Sequence, residues 1–167
     1  MKIASKTIPH EGGGQLRFRP AESHDYPLLL NLYASIRAEE MALTNWDQTQ
    51  KEAFIKMQFD AQQSHYQAYY PKAEHLVIIL DDMPVGRLYV EDRPEEIHIL
   101  DITVSPERRS AGLGSRVVKE LMAESSASGK SLTIYVESYN RSLGLFQRLG
   151  FQKAGELGYS HLMKFSH

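Results

Sequence analysis

A single α/β (α+β) domain, a mixed and largely antiparallel sheet of about seven strands flanked by about four helices, is the fold class the sequence predicts, on three observations. Apolar runs of strand length recur at Leu76–Leu80, Val85–Val90, Ile97–Val104 and Leu132–Val136. Amphipathic stretches of helical period lie among them, the clearest from Leu113 to Ser126, where Val117, Val118, Leu121 and Met122 share one face. At 167 residues the chain is long enough for one core and short for two.

Residues 1–14 end in Glu11-Gly12-Gly13-Gly14, the composition of a flexible N-terminal arm, so the domain is expected to span 15–167. Leu16-Arg17-Phe18-Arg19 alternates as a half-buried strand does, and Pro20 closes it. Asp25 is placed to cap a helix with Pro27 in its first turn, and Leu28, Leu29, Leu32, Tyr33 and Ile36 carry that helix to about Arg37. After an irregular Met41–Trp46, a weaker helical period through Phe54, Met57 and Phe59 predicts a second helix from Thr49 to about Tyr66. Asp81-Asp82-Met83-Pro84 reads as a turn between two antiparallel strands. Ile97–Val104 is a third strand ending at Ser105-Pro106, and the helix from Leu113 stops at Gly129. Leu132–Val136 is a further strand, Ser142–Leu149 a short helix ending at Gly150, and Phe151–Phe165 two short strands split by Gly155 and Gly158. One chain that orders its elements strand, two helices, three strands, helix, strand, helix, two strands mixes both types over one sheet.

Composition excludes several functions. A net charge of −2 gives no electrostatic footprint for a phosphate backbone, so nucleic acid is not an expected partner. Without cysteine there is no disulfide, thiolate metal ligand or cysteine nucleophile, which suits a reducing compartment; the expected location is cytoplasmic. No apolar run approaches the length of a membrane span or a signal peptide, so no membrane partner is expected.

The chemistry concentrates between Ile97 and Gly114. A strand ending at Val104 is followed by Arg109-Ser110-Ala111-Gly112-Leu113-Gly114, which opens a helix. The unpaired N–H groups and partial positive charge of a helix N-terminus suit a diphosphate, and glycine lets that backbone approach closely. By spacing alone an ordinary capping loop reads equally well. Gly114 is followed by Ser115-Arg116, not by the lysine and hydroxyl of a nucleotide P-loop, and no acidic ribose ligand is clearly placed for a dinucleotide fold.

Arg-x-x-Gly-x-Gly after a strand ending in Val resembles the acyl-CoA signature of the GCN5-related N-acetyltransferases (GNAT). The opening Leu16-Arg-Phe-Arg-Pro-Ala21 with Asp25, Asn140 after the next strand, and Leu149-Gly150-Phe151 agree with it, so the resemblance covers roughly residues 16–165. It implies a splayed GNAT-like sheet in which the strand ending at Val104 diverges from Leu132–Val136. It further implies acetyl-CoA as co-substrate with no metal, its pantetheine arm beside the main chain of Ile102, Thr103 and Val104. The pyrophosphate would lie on the amides of Arg109, Ser110, Ala111, Gly112, Leu113, Gly114 and Ser115, with Asn140 touching the arm. Arg108 and Arg109 are either solvated or add charge near the phosphates.

Acyl transfer to an amine needs a base or a water chain to take its proton. In several members of the family a base lies eleven residues before the signature arginine, which implies His98; imidazole suits the task near neutral pH. The alternation of the strand, with Ile97, Ile99 and Asp101 on one face and His98, Leu100 and Ile102 on the other, is also that of a packed histidine. Glu96 and Asp101, acting through water, are rivals. Where the family commonly has a tyrosine that protonates the departing thiolate, this chain has Phe146, which can pack against the arm and donates nothing. Either the thiolate leaves unassisted or another hydroxyl such as Tyr135 or Tyr159 serves.

The resemblance also assigns acceptor choice to Met41–Tyr70 and Glu156–His161. Trp46, Tyr66, Tyr69 and Tyr70 are candidate pocket residues, and Glu39, Glu40 and Asp47 candidate ammonium partners; all read as well as packing or solvated charge. The expected activity is transfer of acetyl from acetyl-CoA to a primary amine of a small molecule or peptide. The alternative, motivated by Phe146, is a non-catalytic acyl-CoA-binding regulatory module. Edge strands and exposed aromatics permit a homodimer.

Overall fold

The computed structural model describes residues 1–10 and 12–167, and of Ser110 the backbone alone. Its strands are β1 (Thr7–Pro9), β2 (Gln15–Pro20), β3 (Glu74–Leu80), β4 (Met83–Asp92), β5 (Glu96–Val104), β6 (Ser131–Glu137), β7 (Gln152–Leu157) and β8 (Ser160–Phe165). The helices are α1 (Tyr26–Ala42), α2 (Gln48–Tyr69), α3 (Leu113–Ala127) and α4 (Ser142–Arg148). Among the described residues one sheet runs β1-β2-β3-β4-β5-β6-β8-β7, antiparallel throughout except where β5 meets β6.

The alternation of β4 explains why the sheet is covered on both faces. Leu88 and Val90 join an apolar cluster with α3, while Arg87 and Tyr89 turn the other way, Tyr89 meeting Tyr66 of α2 edge-on at 4.9 Å. The α3 side holds the larger core, with Val117, Val118 and Leu121 fully buried as the helical period requires. On the other side Leu29, Leu32 and Tyr33 of α1 pack on Ile55 and Phe59 of α2. A capping box starts α2: Asp47 accepts from Gln50 N–H at 2.8 Å, and the Gln50 side chain accepts from Asp47 N–H at 3.0 Å.

Four sequence expectations change. The arm expected at 1–14 supplies an eighth strand: β1 pairs with β2, and Ile3 and Ile8 are buried because they complete the α3-side core. Glu11, within that arm, lies outside the described residues. Asp25 does not cap α1; its buried carboxylate takes a two-pronged bond from Arg19 at 2.8 Å and accepts Glu22 N–H, which hold it down to about 2. The turn before β4 is tighter than expected, with Asp81 and Asp82 both at positive φ, 46° and 69°, so that Met83 and Pro84 belong to the strand. Gly155 lies inside β7 beside a register shift, and only Gly158, at φ 59°, separates the last two strands.

The site is created where two strands part. Parallel pairing of β5 with β6 runs from Glu96↔Ser131 to Ile99↔Ile134 and stops there, although β5 continues to Val104 and β6 to Glu137. Beyond Ile99 the strands separate, and among the described residues the facing edge of β5 has no strand partner.

Candidate active site

The opening is a cavity of about 260 Å³ bounded by β5, β6, α1, α2 and α4. A bulge shapes its floor: Tyr89 faces Asp101 and Val90 faces Ile99, which leaves Leu100 without a partner on β4. The extra residue reverses the alternation. Ile97 and Ile99 face α3, and past the bulge Ile102 and Val104 do so too, so His98, Asp101 and Thr103 share the cavity face. This corrects the simple alternation, which put Asp101 with Ile97 and Ile102 with His98. Tyr66 seals the bulge by donating its hydroxyl to the Leu100 carbonyl at 3.2 Å.

At the mouth, a 3-10 turn over Pro106–Ala111 delivers the chain to Gly112 at φ 76°, and α3 begins at Leu113. The N–H of Arg116 bonds to the Gly112 carbonyl at 3.0 Å, so helix geometry leaves the amides of Leu113, Gly114 and Ser115 without partners inside α3. A Cβ at Gly112 would meet nothing within 4 Å, and one at Gly114 only Val104 Cγ2 at 3.8 Å. Helical Gly114 is therefore not forced by packing within the protein, although glycine costs about 1 kcal/mol against alanine there. The surface beside it is left open. Ser110 and Ala111 contribute main chain to the same turn.

Arg109 is held by contacts within the protein. It turns back, Nε donating to the Val104 carbonyl at 3.2 Å and NH2 to Ser35 Oγ of α1 at 2.7 Å, and so ties the end of β5 to α1; Arg108 is exposed. Across the opening, Asn140 Oδ1 accepts Ser142 N–H at 2.9 Å, fixing the turn into α4 and leaving the side-chain NH2 as the donor at the cavity wall. Phe146 is buried edge-on against Phe151 at 5.1 Å and closes the inner end.

His98 is 4 % exposed, lines the cavity, and meets Thr133 Oγ1 through Nδ1 at 2.8 Å. Burial, with Arg93 nearby, pulls it down to about 4, so the ring is neutral at physiological pH. Glu96 reaches Thr133 from the far side at 3.2 Å and does not line the cavity. Tyr135 stands beside His98, ring centroids 5.7 Å apart, whereas Tyr159 sits exposed in the β7–β8 turn, away from the cavity lining.

Sequence reading passes over Arg87. This buried arginine donates Nε to His75 Nε2 at 3.0 Å and its terminal nitrogens to Gln62 and Gln63, and lies 3.4 Å from the Asp101 carboxylate. Phe59, Tyr66 and Tyr89 surround the guanidinium with ring faces at 5.2 to 5.8 Å. A signal for it exists: an arginine inside Val-Gly-Arg-Leu-Tyr-Val, a strand too apolar to be exposed, requires a buried partner. Asp101 also accepts from the Thr103 hydroxyl, and its burial pushes its carboxyl above the usual range.

Of the aromatic and acidic residues named for the acceptor, Tyr66 and Tyr70 line the cavity, and Gln62 and Ser160 join them from the two expected segments. Trp46 packs on Phe54 and Tyr69 is exposed; Glu39 pairs with Arg141, Glu40 with Arg37, and Asp47 serves its helix cap. Arg37 and Glu137, which the sequence does not single out, also line the cavity, 3.6 Å apart.

Residues 39–151 match the acetyltransferase (GNAT) family. No curated protein matches the sequence significantly. Among solved structures, the chain is similar to PaiA N-acetyltransferase from Thermoplasma acidophilum in complex with coenzyme A, at 14% identity and TM-score 0.65, covering 91% of this chain and 99% of that one. It is also similar to a GNAT family acetyltransferase from Elizabethkingia anophelis with acetyl-CoA bound, at 14% identity and TM-score 0.61, over 91% and 98% of the two chains. An acetyltransferase from Thermus thermophilus shares 19% identity over 90% and 96%, with TM-score 0.63. At these identities the likeness is one of fold.

Proposed function

The chain belongs to the GNAT acetyltransferase family, and we propose that it transfers acetyl from acetyl-CoA to a primary amine of a small molecule or peptide by direct attack in a ternary complex. The observation that carries the reading is the parting of β5 from β6 at Ile99, which opens an unpaired strand edge between the glycine-cleared start of α3 and a neutral histidine.

The residues fit a coenzyme A thioester. Amides of Leu113, Gly114 and Ser115 are free to bind a pyrophosphate at the positive end of α3, with Arg109, Ser110, Ala111 and Gly112 shaping the approach. The edge of β5 at Ile102, Thr103 and Val104 can receive the amide-bearing arm as a further strand would be received, with Asn140 donating from the other wall and Phe146 packing at the inner end. When bound, acetyl-CoA supplies the activated acetyl group.

The chain's own residues then act on the amine. The Asp101 and Glu137 carboxylates favour entry of an ammonium group, and a neutral amine is needed for attack. His98 Nε2, the ring nitrogen left free, takes the amine proton, with Asp101 the nearest rival on the same face. Phe146 has no proton for the departing thiolate, and thiolate is a weak enough base to leave unassisted. Tyr135, beside His98 and partly exposed, is the hydroxyl best placed to protonate it later; Tyr159 is not.

Acetyl-CoA incubated with the protein and a panel of amines should release free CoA thiol. Thermal stabilisation by CoA without release from any amine would instead support the regulatory-module reading that Phe146 permits.

A further inference from the structure

Through β6, His98 connects to a second, open depression, lined by Arg93, Glu96, Ser131 and Lys164 at the start of β5. The connection is short. Thr133 Oγ1 lies 2.8 Å from His98 Nδ1 and 3.2 Å from Glu96 Oε2, and Arg93 donates to Glu96 Oε1 at 2.7 Å. Parallel register creates it by setting His98 beside Thr133 while Glu96 stands beside Ser131, one alternation back on the same face.

From this geometry we infer that Thr133 and Glu96 are positioning residues: they lock His98 in the tautomer with Nδ1 protonated and Nε2 bare, the form in which the ring nitrogen facing the cavity can take a proton. The inference rests on the reading of His98 as the base.

Hydrogen counting gives the tautomer. A threonine hydroxyl has one hydrogen, and an ionised carboxylate only accepts. Glu96 Oε1 is paired with Arg93 at 2.7 Å and Oε2 accepts the Thr133 hydrogen at 3.2 Å in a charge-assisted bond. Thr133 oxygen can then face His98 Nδ1 only as an acceptor, which requires hydrogen on Nδ1 and places the lone pair on Nε2. The reverse arrangement would leave the Thr133 oxygen against a carboxylate oxygen with no hydrogen between them. Thr133 is 1 % exposed and His98 4 %, so water cannot relieve that clash, whereas Glu96 is about one third exposed at its side chain and meets solvent.

The amine N–H bond breaks as Nε2–H forms, while Nδ1–H stays bonded to Thr133 oxygen and the Thr133 hydrogen to Glu96. Nε2–H is given up to water in the cavity as the products leave, which returns His98 to its starting tautomer with Nε2 bare; one proton has passed from the amine to solvent.

Nitrogen NMR of protein labelled with ¹⁵N-histidine tests this without any acceptor. The wild type should show His98 Nδ1 protonated and Nε2 unprotonated at pH 7. In Thr133→Val the signal should move to a mixture of tautomers or to Nε2–H, and Thr133→Ser, which keeps the hydroxyl, should restore the wild-type pattern. With turnover in hand, Thr133→Val should lower kcat at least tenfold with the KM for acetyl-CoA unchanged, and Thr133→Ser should recover most of it. Nε2–H in the wild type, or a Thr133→Val protein with unchanged tautomer and kcat, overturns the inference. A wild type with the expected tautomer that acetylates no amine removes the base role from His98 and leaves the tautomer assignment standing.

Discussion

The two walls of the cavity are built from different material. On one side, the β5 edge and the start of α3 offer main-chain groups, and the glycines at 112 and 114 contribute by having no side chain. On the other, side chains from α2, β4, β5 and β6 hold one another in two groups, Arg87 with Asp101 and Tyr66, and His98 with Thr133. A backbone wall depends on local conformation, so a substitution there changes what can approach and little else. A side-chain wall is a buried polar network, whose members lose stability when one partner is removed. Mutations on the two walls should therefore separate binding from chemistry and from folding.

The largest effect is expected at His98. His98→Gln should reduce kcat by about 10²–10⁴-fold while the Kd for CoA, measured by calorimetry, stays within twofold. An equal loss of CoA affinity would erase the distinction between the walls.

Arg87→Met should be the most damaging to folding, because His75, Gln62, Gln63 and the half-buried Asp101 carboxylate would all lose the buried cation they share. Breaking such a pair costs about 3–5 kcal/mol. For a chain of this size that lowers Tm by roughly 10 °C. A loss of only a degree or two would show that the Arg87 cluster adds little.

On the backbone wall, Gly112→Trp should weaken CoA binding at least tenfold and leave the protein folded. The space around its Cβ is open, so the cost to the free protein is the left-handed backbone alone, about 1–2 kcal/mol. Unchanged CoA affinity would mean that the loop is only a helix cap.

A pH dependence also belongs to the side-chain wall. Burial, with Arg93 near His98 and Arg87 near His75, depresses both histidines to about 4 from an ordinary 6.5. The unfolded chain thus binds more protons between pH 6.5 and 4, and stability must fall as pH is lowered through that window. For His75 the reason is visible in the bond: its Nε2 accepts from Arg87 Nε, and protonation would set two donors face to face. Thermal melts from pH 7.5 to 4.5 should show a falling Tm, with a shallower slope in His75→Gln; Asp25, held near 2, should contribute only below about pH 4.

The same contrast explains what could be read from the sequence. The loop from Arg109 to Gly114 was legible because helix starts and glycines are local, and the strand runs because burial on both faces leaves apolar stretches. The two-sided role of β5 was not, since a one-residue bulge at Leu100 moves Asp101 to the face of His98 and leaves no mark in an alternating pattern. Strand β1 was missed because the glycines after His10 read as slack, while Ile3 and Ile8 gain their burial only from distant α3 and β2. The brace of Arg109 against Ser35 of α1 leaves no local mark, because the two residues are 74 apart in the chain.

One measurement joins both walls: a single reaction of wild-type protein with acetyl-CoA and a reactive amine, in which free thiol and N-acetylated product are quantified together. The account predicts equal amounts of the two, formed only when acetyl-CoA and amine are both present. Thiol released without any acetylated amine, or no thiol from any amine tried while CoA still stabilises the fold, would contradict it.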